Sequence, residues 1–204
     1  MTLWKAVCVA SLLGPAAGVL AQPKPAAPAS AFARAIDAEL TSQEEQFVAA
    51  VEAMPADKFD FTPESLNVPG ADFKGVRSFA MQVKHVAADN FSILAPLTGQ
   101  PEPGGLNAPN GPPEMKSRTE ILKFLKDSFA YGHAAVKGLT AENSLELVEF
   151  RRGRKVTRIF LVILALTHVS DHYGQLAEYL RMSGVVPPAS RPSQPAVPAK
   201  AAGG

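Results

Sequence analysis

Four segments of the chain repeat apolar residues at helical spacing, and no convincing strand alternation appears between them. Residues three or four apart share one face of a helix, so each segment carries a stripe that must be buried against a neighbour. The first runs from about Ala31 to Met54, with Ile36, Leu40, Phe47 and Val51 one above another. The second spans about Val76 to Ala95, with Pro96, Gly99 and Pro101 marking its end. The third opens at Ser117 and Glu120, the spacing of a capping box, and presents Ile121, Leu125, Phe129, Val136 and Leu139. The fourth begins near Lys155 and runs to Met182, with Gly184 as terminator and Pro187 and Pro188 beyond it. Its first half, Ile159 to Leu166, is apolar all round and is expected to sit deepest. With one long irregular crossing, Phe59 to Gly75, the pattern predicts an all-α four-helix bundle over residues 31–186.

The chain has 204 residues, enough for one such domain with tails. Residues 1–21 place Lys5 before an apolar stretch, Ala6 to Leu20, and end in Val19-Leu20-Ala21. That is the layout of a signal peptide cleaved after Ala21, with an uncleaved anchor as the alternative, so export to the periplasm or the exterior is expected, with no membrane span left after cleavage. Residues 22–30 and 187–204 are Pro/Ala-rich and read as a disordered linker and tail. Formal net charge is +1 and no long Lys/Arg run occurs, so no nucleic-acid surface is expected. Arg151, Arg152, Arg154, Lys155 and Arg158, partly balanced by Glu146 and Glu149, read as a solvated loop and helix start.

The single cysteine, Cys8, lies inside the expected signal. A mature chain would therefore have no disulfide, no cysteine nucleophile and no thiolate ligand. Any metal must be held by nitrogen and oxygen.

The sharpest chemical feature is Thr167-His168-Val169-Ser170-Asp171-His172-Tyr173-Gly174-Gln175 in the fourth helix. At about 100° per residue, His168 and His172 lie only about 40° apart and share a sector with Leu161, Leu164 and Tyr179. Two inward imidazoles one turn apart can share a metal ion; the pair also reads as one buried and one boundary histidine. Burial favours coordination, because buried imidazole nitrogens need partners. For a third ligand there are two histidines. His85 stands in a polar stripe of the second helix with Ser78, Gln82, Asp89 and Ser92, which is either a wet outer face or the lining of a cavity. His133, at the edge of the third helix's stripe, reads as a satisfied boundary residue. Helical phase does not decide between them.

Val83-Lys84-His85-Val86-Ala87-Ala88-Asp89-Asn90, His168 through Leu176 with Tyr179-Leu180-Arg181, and the closing Gly184-Val185-Val186-Pro187-Pro188-Ala189-Ser190-Arg191 carry a resemblance. The chain resembles the DinB-like (YfiT-like) superfamily of metal-binding four-helix bundles over about Ala31 to Arg191. That resemblance implies one divalent ion on a histidine triad, one ligand from the second helix and two from the last: His85, His168 and His172. Zinc, nickel, iron and manganese all accept imidazole, so the ion's identity stays open. Three neutral histidines leave coordination positions for water or a small-molecule substrate. Asp89 and Gln175, sharing sectors with the ligands, are the candidate catalytic or ligand-orienting residues, and Asp171, about 60° from His168, is a weaker one. Each also reads as a solvated polar residue.

Characterised members of the resembled family include thiol transferases and isomerases, and related bundles often form homodimers. Export would separate this chain from cytosolic thiols, so thiol transfer is not expected. Two classes of function stay open: a metal-dependent, hydrolase-type enzyme, or a non-catalytic binding or stress-response module that metal stabilises.

Overall fold

The computed structural model describes residues 29–100, 102, 106 and 110–192. The expected signal segment, most of the expected linker and positions 193–204 of the tail lie outside the described residues. Four long helices make up the bundle: α1 (Ala31–Ala53), α2 (Phe79–Thr98), α3 (Arg118–Val136) and α4 (Arg158–Met182). Every one begins at a hydroxyl. Ser30 accepts from Ala33 N, Ser78 from Met81 N, Ser117 from Glu120 N and Thr157 from Phe160 N. Each cap satisfies a backbone donor that the first turn leaves without a partner, worth about 1 kcal/mol. At Ser117 the Glu120 carboxylate also accepts from the Ser117 backbone N–H, which completes the capping box.

α2 packs on α3 and α4, and α1 packs on α3 and α4, so α1 and α2 occupy opposite corners. This explains the long crossing after α1: the chain must traverse the bundle end to reach the diagonal position. The crossing contains two short 3-10 turns, Ala56–Lys58 and Pro63–Leu66. Phe47, Phe79, Phe129, Leu125, Leu176 and Leu180 fill one half of the core without measurable exposure. Ile93, Val136, Leu139, Leu161 and Ala165 fill the other half. Between the helices, buried Asn90 donates to buried Ser128 Oγ, which spares both polar groups an unpaired burial.

Three local expectations differ from what forms. α2 starts at Phe79, not Val76, and passes through Pro96 to Thr98, where Gly99 (φ +66°) closes it. A proline this close to the end removes one intrahelical donor, and burial of Ile93, Leu94 and Leu97 holds the last turn in place. A two-stranded antiparallel hairpin precedes α4: β1 (Leu147–Phe150) pairs with β2 (Arg154–Thr157). Lys155 is therefore in a strand, and Arg151 and Arg152 are in the hairpin turn, where Arg152 (φ 59°) and Gly153 (φ 74°) take left-handed conformations. Four-residue strands with outward Leu147 and Glu149 are too short to show period-two alternation. Finally, the first half of α4 is not uniformly deep. Leu161, Val162 and Ala165 are buried, but Ile163 is 53% exposed and Phe160 37%. Only one face of α4 meets α1 and α2, so residues at the opposite phase stay outside regardless of polarity.

α4 ends in a Schellman closure: Val185 N–H donates to Leu180 O and Gly184 N–H (φ 76°) to Arg181 O. The described start of the expected tail is ordered by a 3-10 turn, Pro188–Ser190, that lies against α1. Among the described residues, no helix is long and apolar enough to cross a membrane.

Candidate metal centre

The polar stripe of α2 faces α4 rather than water. Ser78 and Gln82 are buried, and His85, Asp89 and Ser92 are partly so. Because His168 and His172 point inward from α4, the α2–α4 contact brings His85 between them. Ring centroids are 4.9 Å apart for His85 and His168, 4.8 Å for His85 and His172, and 4.6 Å for His168 and His172. The three rings stand nearly edge to face, at 72°, 77° and 73°. One nitrogen from each ring lies within 4.8 Å of the other two, so the group could hold a metal ion.

The donor set suits a divalent ion on two grounds. The Nε2 atoms of His85 and His168 are 3.1 Å apart, near the spacing of about 3 Å that two imidazoles adopt when each binds one ion at about 2.0–2.1 Å. Nδ1 of His168 and Nδ1 of His172, by contrast, are buried without a hydrogen-bond partner. Burial also disfavours the charged form of the two α4 rings. Desolvation, aided by the neighbouring histidines, lowers the His172 pKa to about 4. Desolvation likewise lowers that of His168, against the opposing pull of Asp89.

Asp89 brings a carboxylate to this centre. One turn after His85, its Oδ2 lies 3.4 Å from His168 Nε2. Its Oδ1 accepts from the Arg151 guanidinium at 2.6 Å, and Arg151 also donates to Ser92 Oγ. Gln175 accepts from Gln82 at 2.7 Å and donates to Asp171 Oδ2 at 2.9 Å, forming an amide chain beside the histidines. His133 lies elsewhere, between α3 and α1, with Nδ1 2.7 Å from Asp37 Oδ1 and Nε2 3.0 Å from Glu44 Oε2. It is a boundary histidine with both nitrogens satisfied.

Two residues at this site carry no local signal. In sequence Arg151 reads as one more member of a solvated basic run, and only the hairpin carries it across to Asp89. Lys84, adjacent to His85, is 6% exposed and donates to the carbonyls of Pro112 and Met115. A lysine in a helix reads as exposed unless the loop that covers it is known.

Three inward histidines on two helices of a four-helix bundle define a nitrogen-rich site that could hold a metal ion. The family model described as the DinB superfamily matches residues 39–176, and the chain belongs to that superfamily. Among solved structures, a DinB-like protein from Bacillus cereus is similar at a TM-score of 0.60 and 14% identity, over 76% of this chain and 95% of that one. A DinB-like protein from Bacillus subtilis is similar at a TM-score of 0.54 and 21% identity, over 74% of this chain and 92% of that one. At such identities the likeness shows a shared fold. No curated protein matches the chain.

Proposed function

We propose that this is an exported protein that binds one divalent metal ion on His85, His168 and His172 and uses it as a hydrolase-type enzyme on a small molecule. The observation that carries the reading is the convergence of three imidazoles from two helices, with the Nε2 atoms of His85 and His168 3.1 Å apart. When bound, a divalent ion supplies Lewis acidity to a substrate oxygen and makes a nearby water easier to deprotonate. The remaining work falls to side chains. Asp89 Oδ2 accepts and holds a proton beside His168, while Arg151 binds Oδ1 and fixes the carboxylate's orientation. The Gln82–Gln175 amide pair, one turn from the histidines on each helix, limits the wall that a substrate meets. This placement of Asp89 favours an enzyme over a purely metal-stabilised binding module.

The test is elemental analysis of the purified mature chain together with His85→Ala, His168→Ala and His172→Ala. About one equivalent of metal in the parent and a large loss in each variant is expected. Parent-like metal content in all three would end the reading. Turnover of a panel of esters, lactones and amides by the loaded protein then separates enzyme from module.

A further inference from the structure

A polar cavity of about 440 Å³ opens on the α2–α4 seam, lined by Arg77, Gln82, Asn110, Gln175 and Tyr179 among others. Gln82 is one turn before His85, and Gln175 is three residues after His172, so the cavity and the candidate metal centre share the α2–α4 seam. Its volume falls within the range of pockets that hold small metabolites, roughly 300–1,000 Å³.

Arg77 is the one cation among these lining residues, and it is held from two sides. Its Nε donates to Asn110 Oδ1 at 2.7 Å, and its backbone carbonyl accepts from the Tyr179 hydroxyl at 3.0 Å. Asn110 is itself held in place by the neighbouring loop residues. Gly111 lies so close to α2 that a Cβ there would meet the Lys84 carbonyl oxygen at 2.9 Å, and Lys84 Nζ binds the carbonyls of Pro112 and Met115. Among the described residues, no carboxylate lies within ion-pair distance of Arg77, whereas Arg151 at the other end of the seam is neutralised by Asp89. With Nε engaged, the four N–H groups of the two terminal nitrogens remain as a fork, which matches a planar carboxylate. Buried Gln82 Oε1, without a hydrogen-bond partner, adds an unmet acceptor to the same wall.

We infer that this cavity is the substrate subsite and that Arg77 binds a carboxylate on the substrate, which makes the substrate class small carboxylic acids bearing a second polar function. That function, an amide or hydroxyl donor toward Gln82, reaches along the wall to the histidines. The inference rests on the metal-centre reading and specifies its substrate.

Two hydroxamate probes test it on the metal-loaded chain by calorimetry: neutral acetohydroxamic acid and the monohydroxamate of succinic acid, which adds a carboxylate. The carboxylated probe should bind at least about tenfold tighter, and less so at high salt. Arg77→Gln should reduce that preference to about twofold or less while metal content and acetohydroxamate affinity stay at parent values. Folding should survive, because Tyr179 binds the backbone carbonyl and not the side chain of Arg77. Lys123→Gln, which removes an exposed cation of α3, should keep the preference. Equal binding of the two probes by the parent, or an undiminished preference in Arg77→Gln, overturns the subsite alone. Failure of the loaded parent to bind acetohydroxamate at all overturns the metal-centre reading, and this inference with it.

Discussion

Nε2 of His168 stands 3.1 Å from Nε2 of His85, although 83 positions separate them in the chain. Two imidazole nitrogens at this distance, each carried by a separate helix, make the α2–α4 packing and the binding of any shared ion parts of one equilibrium. A ligand that binds the folded state alone stabilises it by RT ln(1 + [L]/Kd), about 2.7 kcal/mol at a hundredfold excess over Kd. For a chain of this size that is about 5–10 °C in Tm. Stripping metal with a chelator should lower the melting temperature by that amount, and zinc or nickel should restore it. His168→Ala should melt at the same temperature with or without metal; a parent-like shift in that variant would show the ion binding elsewhere.

Asp89 shares its carboxylate between Arg151 and the neighbourhood of His168. Removing its charge while keeping its shape isolates that role. Asp89→Asn should leave the fold intact and weaken metal affinity about tenfold in a chelator competition, the lower end of what groups behind metal ligands contribute. In any hydrolytic assay that the parent supports, the loss should reach about a hundredfold, as for removal of a general base. Parent-like values for both would reduce Asp89 to a surface ion pair.

His133 ties α3 to α1 through Asp37 and Glu44. Desolvation works against its positive charge, but the two hydrogen-bonded carboxylates outweigh that effect and raise its pKa above 6.5. A raised folded pKa means that protonated His133 stabilises the fold fully below its unfolded pKa, and that the contribution fades as pH rises through the folded value. The melting-temperature gap between the parent and His133→Gln should therefore be widest near pH 6 and shrink toward pH 9. Partial exposure limits the maximum gap to about 1–3 °C. Metal content should not change; a large loss would place His133 among the ligands.

Gly111 combines a left-handed φ of +67° with backbone contact against Lys84. Gly111→Ala should destabilise the chain by about 1–3 kcal/mol, through backbone strain and overpacking together. In a urea titration the midpoint should fall while the slope stays constant. An unchanged midpoint would mean that the 110–116 loop can lift away from α2 at little cost.

The proposed export predicts a mature chain that begins at Gln22. Mass spectrometry of the extracytoplasmic fraction of an expressing bacterium measures this directly, and a product retaining residues 1–21 in the cytosolic fraction would refute it.

The bundle is largely legible in the sequence because its information is local. Helical periodicity, the Ser117–Glu120 box and the Gly184 stop each act within a few residues, and tertiary packing adds burial to faces already apolar. The 40° separation of His168 and His172 is of the same kind: it follows from helix geometry alone, at about 100° per residue. Where packing competes with local pattern, the pattern misleads. Pro96 reads as an end to α2, but buried neighbours hold the helix past it, and Ile163 reads as core yet lies on the face of α4 that no helix covers.

The chain by itself therefore determined the helices, the four-helix class and the inward pair on α4, because each depends on residues within a turn or two. Only the tertiary structure decided that α2 turns His85 and Asp89 toward that pair, that the hairpin carries Arg151 to Asp89, and that Gly111 lets a loop close over Lys84 and set Asn110 against Arg77. Those relationships join residues tens of positions apart, and no periodicity encodes which faces of two separate helices will meet. Their meeting is fixed by how four apolar stripes share one core.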